Sequence, residues 1–243
     1  MGFIHGRGSK VLFGAYDLST FFNNAGTNSA VDANDSTTFG VVGGSKTFIV
    51  GLRDGKVSIS GLFDGAVAAV DERIQASLGS DTEAPMTVAL DGFAIGRRVQ
   101  IAQAKTTSYD IKAPVADVVS VSADFQADGG VDGGVSLSAN LSVSATTDEA
   151  SVDNAASSAF GGRGQLHVLA NTRNVNSVVK IQHSADNSTW VDLITFATIA
   201  TTVITSARSL AAGTVNRYLR AQITLSAGTG AIQYQVSFAR LNS

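Results

Sequence analysis

The sequence predicts a mainly β protein: an antiparallel β-sandwich or barrel with one flanking helix over about 64–78, followed by a second β-sandwich-like domain. Three observations predict it. Apolar and polar residues alternate with period 2 through much of the chain, as strands with one dry and one wet face require. A single segment carries helical spacing. Among 243 residues there are 25 Gly, 2 Pro and no Cys, so Gly, Asn and Asp make the turns and no disulfide staples the fold. A chain of this length buries enough apolar surface to stand without staples.

The elements follow in chain order. Asn23–Ser36 is long, polar and without periodicity, and is expected as a loop or arm reaching a neighbour. Thr47–Leu52 and Lys56–Leu62 read as strands, with Arg53-Asp54-Gly55 as the tight turn between them. From Asp64 to Leu78, Val67, Val70, Ile74 and Leu78 share one helical stripe. Asp64 is placed to cap the helix and Gly79 to end it. Strands are then expected at Met86–Leu90, Arg97–Ala104, Thr107–Lys112 and Val118–Ala127. The clearest alternation is Gly134–Ala145, where Val135, Leu137, Ala139, Leu141 and Val143 interleave with Ser136, Ser138, Asn140, Ser142 and Ser144. The second half adds Gln165–Ala170, Ser177–His183, Trp190–Phe196, Thr202–Arg208, Tyr218–Leu225 and Ile232–Phe238.

Composition divides the chain into a β domain over 1–145, a Gly/Ser/Ala-rich linker over 146–164 and a second β-sandwich domain over 165–243. Charge changes near the same place. Residues 1–129 hold 14 acids and 10 bases, whereas 130–243 hold 6 acids and 7 bases. Arg97–Ile101 and Arg217–Ala221 open strands at similar places in their halves, a pattern expected of two related β domains.

Chemical motifs are sparse. The net charge of −3 carries no cationic excess for tight phosphate-backbone binding. Gly40–Thr47 nearly spells a phosphate-cradling loop, but Ser45 stands where Gly is required and a strand pattern follows instead of a helix. His5, His167 and His183 have no partner at metal-ligand spacing. Asp71-Glu72, Asp81/Glu83 and Asp148-Glu149 read as solvated charges, and no G-x-S-x-G elbow appears. No catalytic residue, cofactor or metal is expected. Met1–Lys10 is glycine-rich and basic with no apolar region after it, so no leader and no membrane partner are expected. Two basic clusters, Arg97-Arg98 and Arg217/Arg220, either block stray strand pairing or meet an acidic loop such as Ser80–Glu83 on a neighbour.

The ordered motifs resemble the major tail protein, or tail tube protein, of long non-contractile-tailed bacteriophages. The resemblance rests on Val11–Ser19 (VLFGAYDLS), on Thr38-Phe39-Gly40 closing the polar arm, and on Gly51–Gly61 (GLRDGKVSISG) with a helix soon after. Tyr109-Asp110-Ile111 and Ala113–Val119 leading into Ser122–Gln126 continue it, and Val179–Trp190 (VKIQHSADNSTW) resembles a C-terminal β-sandwich segment of such proteins.

The resemblance implies a tail-tube fold whose protomers close into rings, with rings stacking into the tube that conducts DNA. Two tube domains per chain would make trimeric rings, slightly favoured by the internal similarity. One tube domain plus an outer decoration domain would make hexamers. Asn23, Asn24, Asn28, Asp32, Asn34, Asp35, Arg97, Arg98, Arg217 and Arg220 are the expected inter-subunit contacts. Deleting Asn23–Ser36 is expected to leave a folded monomer that no longer stacks. Tape measure, tail terminator and tip proteins are implied partners, genomic DNA passes the lumen without specific binding, and the protein resides in the virion tail after synthesis in the host cytoplasm. The alternative is a carbohydrate-binding β-sandwich module or receptor-binding adhesin using Trp190, Tyr218 and Tyr234 as sugar platforms.

Overall fold

A computed structural model describes residues 6–39, 43–66 and 69–242. The strands are β1 (Lys10–Phe13), β2 (Tyr16–Asp17), β3 (Phe22–Asp35), β4 (Phe48–Leu62), β5 (Ala84–Ala89), β6 (Arg98–Lys112), β7 (Ser120–Ser136), β8 (Ser142–Val143), β9 (Thr147–Asp148), β10 (Val152–Asp153), β11 (Gly162–Asn171), β12 (Ser177–Ser184), β13 (Val191–Thr195), β14 (Thr205–Ala211), β15 (Tyr218–Leu225) and β16 (Ile232–Arg240). One short helix, α1 (Val70–Gln75), lies between β4 and β5. The mainly antiparallel β class read from the sequence holds: the named strands pair antiparallel in an 11-stranded and a 5-stranded sheet.

The larger sheet runs β14-β11-β16-β7-β6-β5-β1-β2, with the β3–β4 hairpin joined to β7. The smaller runs β10-β15-β12-β13, with β9 on β15. Strand β7 belongs to both ends of the large sheet. Its first part pairs β4 from Ser120↔Leu62 to Gln126↔Lys56, and its last residues pair β16 at Val135↔Phe238 and Ser136↔Ser237.

Three apolar clusters result among the described residues, the smallest built on Leu12, Ala89, Phe93, Val99, Ile101 and Ala239. In the first half Val11, Phe13, Val57, Ile59, Met86, Val88 and Phe125 pack with Val70 and Ile74 of α1. Phe13 and Phe125 meet with ring centroids 4.9 Å apart. In the second half Leu166, Val168, Tyr234, Val236 and Phe238 pack against Val179, Ile181, Leu219 and Ile223 of the smaller sheet. Each such large side chain contributes about 1.5–3 kcal/mol on full burial.

The opposite faces of β11 and β16 explain a difference from expectation. Gln165, His167, Gln235 and Ser237 alternate with the apolar residues as the period demands, yet they are buried, not wet. They line a polar seam against the first half. The His167 ring bonds the Gly14 carbonyl through Nδ1 (2.7 Å) and the Thr87 hydroxyl through Nε2 (2.8 Å). Gln165 donates to the Ala102 carbonyl, and Gln235 donates to Ser136 Oγ at 2.7 Å. Buried amides and hydroxyls are tolerated because they satisfy one another.

Several expected elements differ. Asn23–Ser36 is not a loop. It forms β3, a polar strand held by backbone ladder bonds to β4 from Phe22↔Gly61 to Asp35↔Phe48. Its deletion would remove a sheet strand, so the expectation of an intact monomer is withdrawn. Arg53-Asp54-Gly55 is no turn but the middle of the continuous β4. Gly55 is required there by close approach, since a Cβ would lie 2.7 Å from the Val131 amide nitrogen.

The expected helix over 64–78 shrinks to α1. Val67 lies outside the described residues, Asp64 accepts the Ala66 amide in a local turn, and the helix starts at Val70 without a side-chain cap. Arg97–Ala104 and Thr107–Lys112 merge into β6 across a bulge. The clear alternation of 134–145 breaks down after Ser136. Ser136 and Ser138 turn inward to hydrogen-bond, Asn140 adopts φ 56° and Leu141 is exposed. The stretch 146–164 contains β9 and β10, both paired to β15.

Candidate assembly surface

Strands β3, β4, β7 and the distal part of β6 form a four-stranded patch with two open edges. Among the described residues β3 pairs with β4 alone. β6 pairs β5 only from Gln100 to Ala104, so Thr107–Lys112 keeps its outer side unladdered. Open edges offer backbone donors and acceptors to another strand. One face of the patch buries Val57, Ile59, Ala123 and Phe125, and α1 helps to cover it. Tyr109 of β6 donates to Asp71 of α1 at 2.9 Å, and the Tyr109 phenol is held un-ionised by burial and by the Asp71 carboxylate. The other face carries Asn24, Asn28, Lys56, Ser58, Ser60, Ser122, Asp124 and Asp110 in cross-strand register. Ser58 and Ser108 both donate to Asp124, at 2.6 and 3.1 Å.

Beyond Gly55 the β3–β4 hairpin leaves the sheet, because β4 pairs β7 only from Lys56 onward. Both its faces meet solvent. Phe48, Ile49, Val50 and Leu52 are 56, 63, 76 and 80% exposed. At the opposite end of the patch Leu62, Ile111, Val115 and Val118 are exposed too. Exposed apolar residues gathered at one place mark interaction surfaces more often than scattered ones do.

The hairpin departs over a built pivot. The β6–β7 register jumps from Gln103↔Asp128 to Ile101↔Asp132, looping out Gly129, Gly130 and Val131. Gly129 and Gly130 have φ of 71° and 82°, conformations that glycine adopts without strain. The bulge carries Asp132, 5% exposed, into three guanidiniums: Arg53 at 2.9 Å, Arg163 at 2.6 Å and Arg208 at 3.0 Å. Arg53 of the hairpin also donates to the Val131 carbonyl, and Arg163 to that of Gly129. Alongside, the Glu83 carboxyl is pushed above the usual range by burial and by the neighbouring Asp128.

The expected contact residues fall into two groups. Asn23, Asn24, Asn28, Asp32, Asn34 and Asp35 lie together on β3 and are exposed. Within that strand Asp35 is tied locally, accepting from Thr37 and pairing Lys46 at 3.3 Å. The arginines are scattered. Arg97 pairs Asp91 at 2.7 Å. Arg217 pairs Asp153 at 2.6 Å, which holds the carboxyl down at about 2. Arg220 pairs Asp148 at 3.2 Å. Arg98 alone of the four has no carboxylate partner among the described residues.

The aromatic platforms are occupied. Tyr234 is 1% exposed and donates to Glu149. Arg220 covers Trp190 at 4.4 Å and Arg217 covers Tyr218 at 5.0 Å. His5 and residues 40–42 of the glycine-rich loop lie outside the described residues. Thr47 of that loop leads into β4, with no helix to offer free amides.

Sequence reading missed the Asp132 cluster, whose members come from four strands with no local spacing in common. It also took Phe48-Ile49-Val50 as a strand without seeing that the strand leaves the sheet. The signal for that was present: three consecutive large apolar residues fit neither a one-sided strand nor a loop.

The sequence matches no protein-family model and no curated protein. Solved structures offer weak likenesses. One is a chain in the virion of a native gene transfer agent particle, at 16% identity over 52% of this chain and 95% of that one, with a TM-score of 0.43. The Dit protein of phage SPP1, described as a hub of the adsorption apparatus, is 17% identical over 95% of this chain and 98% of its own, with a TM-score of 0.36. The SPP1 tail tube protein is 16% identical over 54% and 78%, with a TM-score of 0.39. At these TM-scores the likenesses carry no argument about what this chain does.

Proposed function

We propose that this chain is a structural virion protein that closes into rings and stacks them into a phage tail tube, the conduit for DNA ejection. The observation that carries the reading is the four-stranded patch with two open edges. β3 of one protomer and Thr107–Lys112 of β6 in the next are the strands of this patch left to pair, and ring closure removes both of its edges. The motif resemblance points to the same class of protein.

The rings would stack head to tail. The apolar hairpin tip around Phe48–Leu52 and the apolar end around Ile111–Val118 sit at opposite ends of the same strands, an arrangement that is heterologous and propagates instead of closing. In this reading the lumen face is the mixed polar one bearing Lys56, Ser58, Asp110 and Asp124, which offers DNA no cationic track. The second unit, 165–243, sits outside as decoration, so six chains make a ring. Of the expected contacts, the β3 residues line the closing edge, while Arg97, Arg217 and Arg220 brace their own chain. Tape measure, terminator and tip proteins are the partners in this reading, and the virion tail is the location.

Negative-stain electron microscopy of the purified, concentrated protein tests it. Hollow tubes with six-fold end views support the reading in full. Single rings that never stack assign the chain to a hub ring at the end of a tube. Particles that remain monomeric at every concentration, and also when mixed with preformed tail tips, overturn it.

A further inference from the structure

A cavity of about 230 Å3 opens where β6 and β7 meet the end of β16, with Arg98, Gly133, Asn154, Arg240 and Asn242 in its wall. Arg98 and Arg240 both belong to its wall, and neither pairs with a carboxylate among the described residues. Arg98 is exposed and makes no ion pair among the described residues. Arg240 donates only to neutral groups: Ser158 Oγ and the carbonyls of Val215, Asn216 and Arg217. Its Nε is buried with no partner. Burial alone depresses the Arg240 pKa, with no carboxylate acting against it. The acids on the adjoining chain are already engaged, Asp91 by Arg97 and Asp153 by Arg217. Among the described residues the cavity wall therefore carries two arginines without a carboxylate, and the partly buried one, Arg240, makes an incoming anion favourable.

We propose that this cavity binds a small oxyanion of phosphate chemistry. Arg98 supplies the planar fork of donors that matches two phosphate oxygens. Asn242, beside it at the end of β16, supplies a further amide. Arg240 stays in its cage of carbonyls and contributes charge from behind. Gly133 leaves the entrance without a side chain. The cavity walls come from both halves of the chain, so a bound anion would tie β6 and β7 to β16 and raise the stability of the whole molecule. The site is independent of ring formation.

Thermal unfolding of the full chain in phosphate and in chloride at matched ionic strength tests it. Phosphate is expected to raise Tm with saturation, as a ligand of the native state does. Arg98→Ala, at an exposed side chain, leaves the fold intact and is expected to weaken the phosphate effect at least about tenfold. Arg97→Ala, whose side chain pairs with Asp91 outside the cavity, is expected to keep it. Equal melting in phosphate and chloride overturns the proposal, and so does an undiminished phosphate effect in Arg98→Ala.

Discussion

The two halves of this chain treat their polar groups in opposite ways. On the outer face of the smaller sheet the charged and amide side chains satisfy one another. Lys180 pairs Asp192 at 2.6 Å, Gln182 donates to Asp192, Arg220 donates to Gln182, and Gln222 donates to Asp148. The four-stranded patch of the first half leaves β3 and the end of β6 unladdered and holds bare apolar residues at both ends. The outer face of the smaller sheet finishes its side-chain bonding within the chain. The patch holds its unfinished bonds in a rigid frame. The Asp132 cluster ties the base of the hairpin that carries these exposed groups to β7, β11 and β14.

The largest expected effect breaks the frame. Asp132→Asn leaves Arg53, Arg163 and Arg208 without their shared carboxylate, and loss of one partner from a buried ion cluster costs about 3–5 kcal/mol. Urea unfolding should show the loss. A wild-type midpoint would mean that the hairpin base is not held by charge.

The seam between the halves gives the next effect. Burial holds the His167 pKa down at about 4, against 6.5 for the free side chain. The unfolded chain binds the proton more readily, so this contribution is complete above pH 6.5 and is lost as pH falls from 6.5 to 4. At 1.36 kcal/mol per unit it amounts to about 3 kcal/mol. His167→Gln is less stable at neutral pH and should flatten the stability–pH curve in that window. An unchanged slope would show that other groups carry the acid sensitivity.

The third prediction separates interface from fold. Val50→Glu with Leu52→Glu places charge on the exposed hairpin tip and should raise the concentration needed for tubes about a hundredfold, equivalent to about 2.7 kcal/mol. Its monomer should melt within a degree or two of wild type, since exposed substitutions rarely exceed about 0.5 kcal/mol. The smallest effect tests the finished face. Lys180→Ala removes a surface ion pair and should cost under about 1 kcal/mol, with assembly unchanged. A defect in assembly there would erase the contrast between the halves.

What the sequence disclosed follows from what period reports. Alternation in Ile232–Phe238 located β16 and its apolar face correctly, because a strand's faces alternate whatever lies on either side. It could not say whether Gln235 and Ser237 meet water or another layer, since both environments accept amides and hydroxyls. The β3 strand was hidden for the converse reason. Asn23–Asp35 has almost no apolar face, and its strand form rests on the backbone ladder to β4. Asp54-Gly55 misled because glycine permits a turn and a close strand crossing alike, and only the Val131 amide on the other side distinguishes them. The exposed arm residues were found by polarity. The Asp132 cluster was invisible because its arginines come together only when β4, β11 and β14 converge on β7.

Strand β7 has a mechanical consequence. The same unbroken peptide runs from the open patch, through the glycine bulge, to the ladder with β16. A pull or twist applied at the hairpin crosses the β4–β7 ladder and then travels along the covalent chain of β7 to the second sandwich. The two glycines of the bulge make that axle compliant at one point, and the Asp132 cluster stiffens it again. A load on the tip would therefore be felt first as torsion at Gly129–Gly130, while the cores on either side keep their shape.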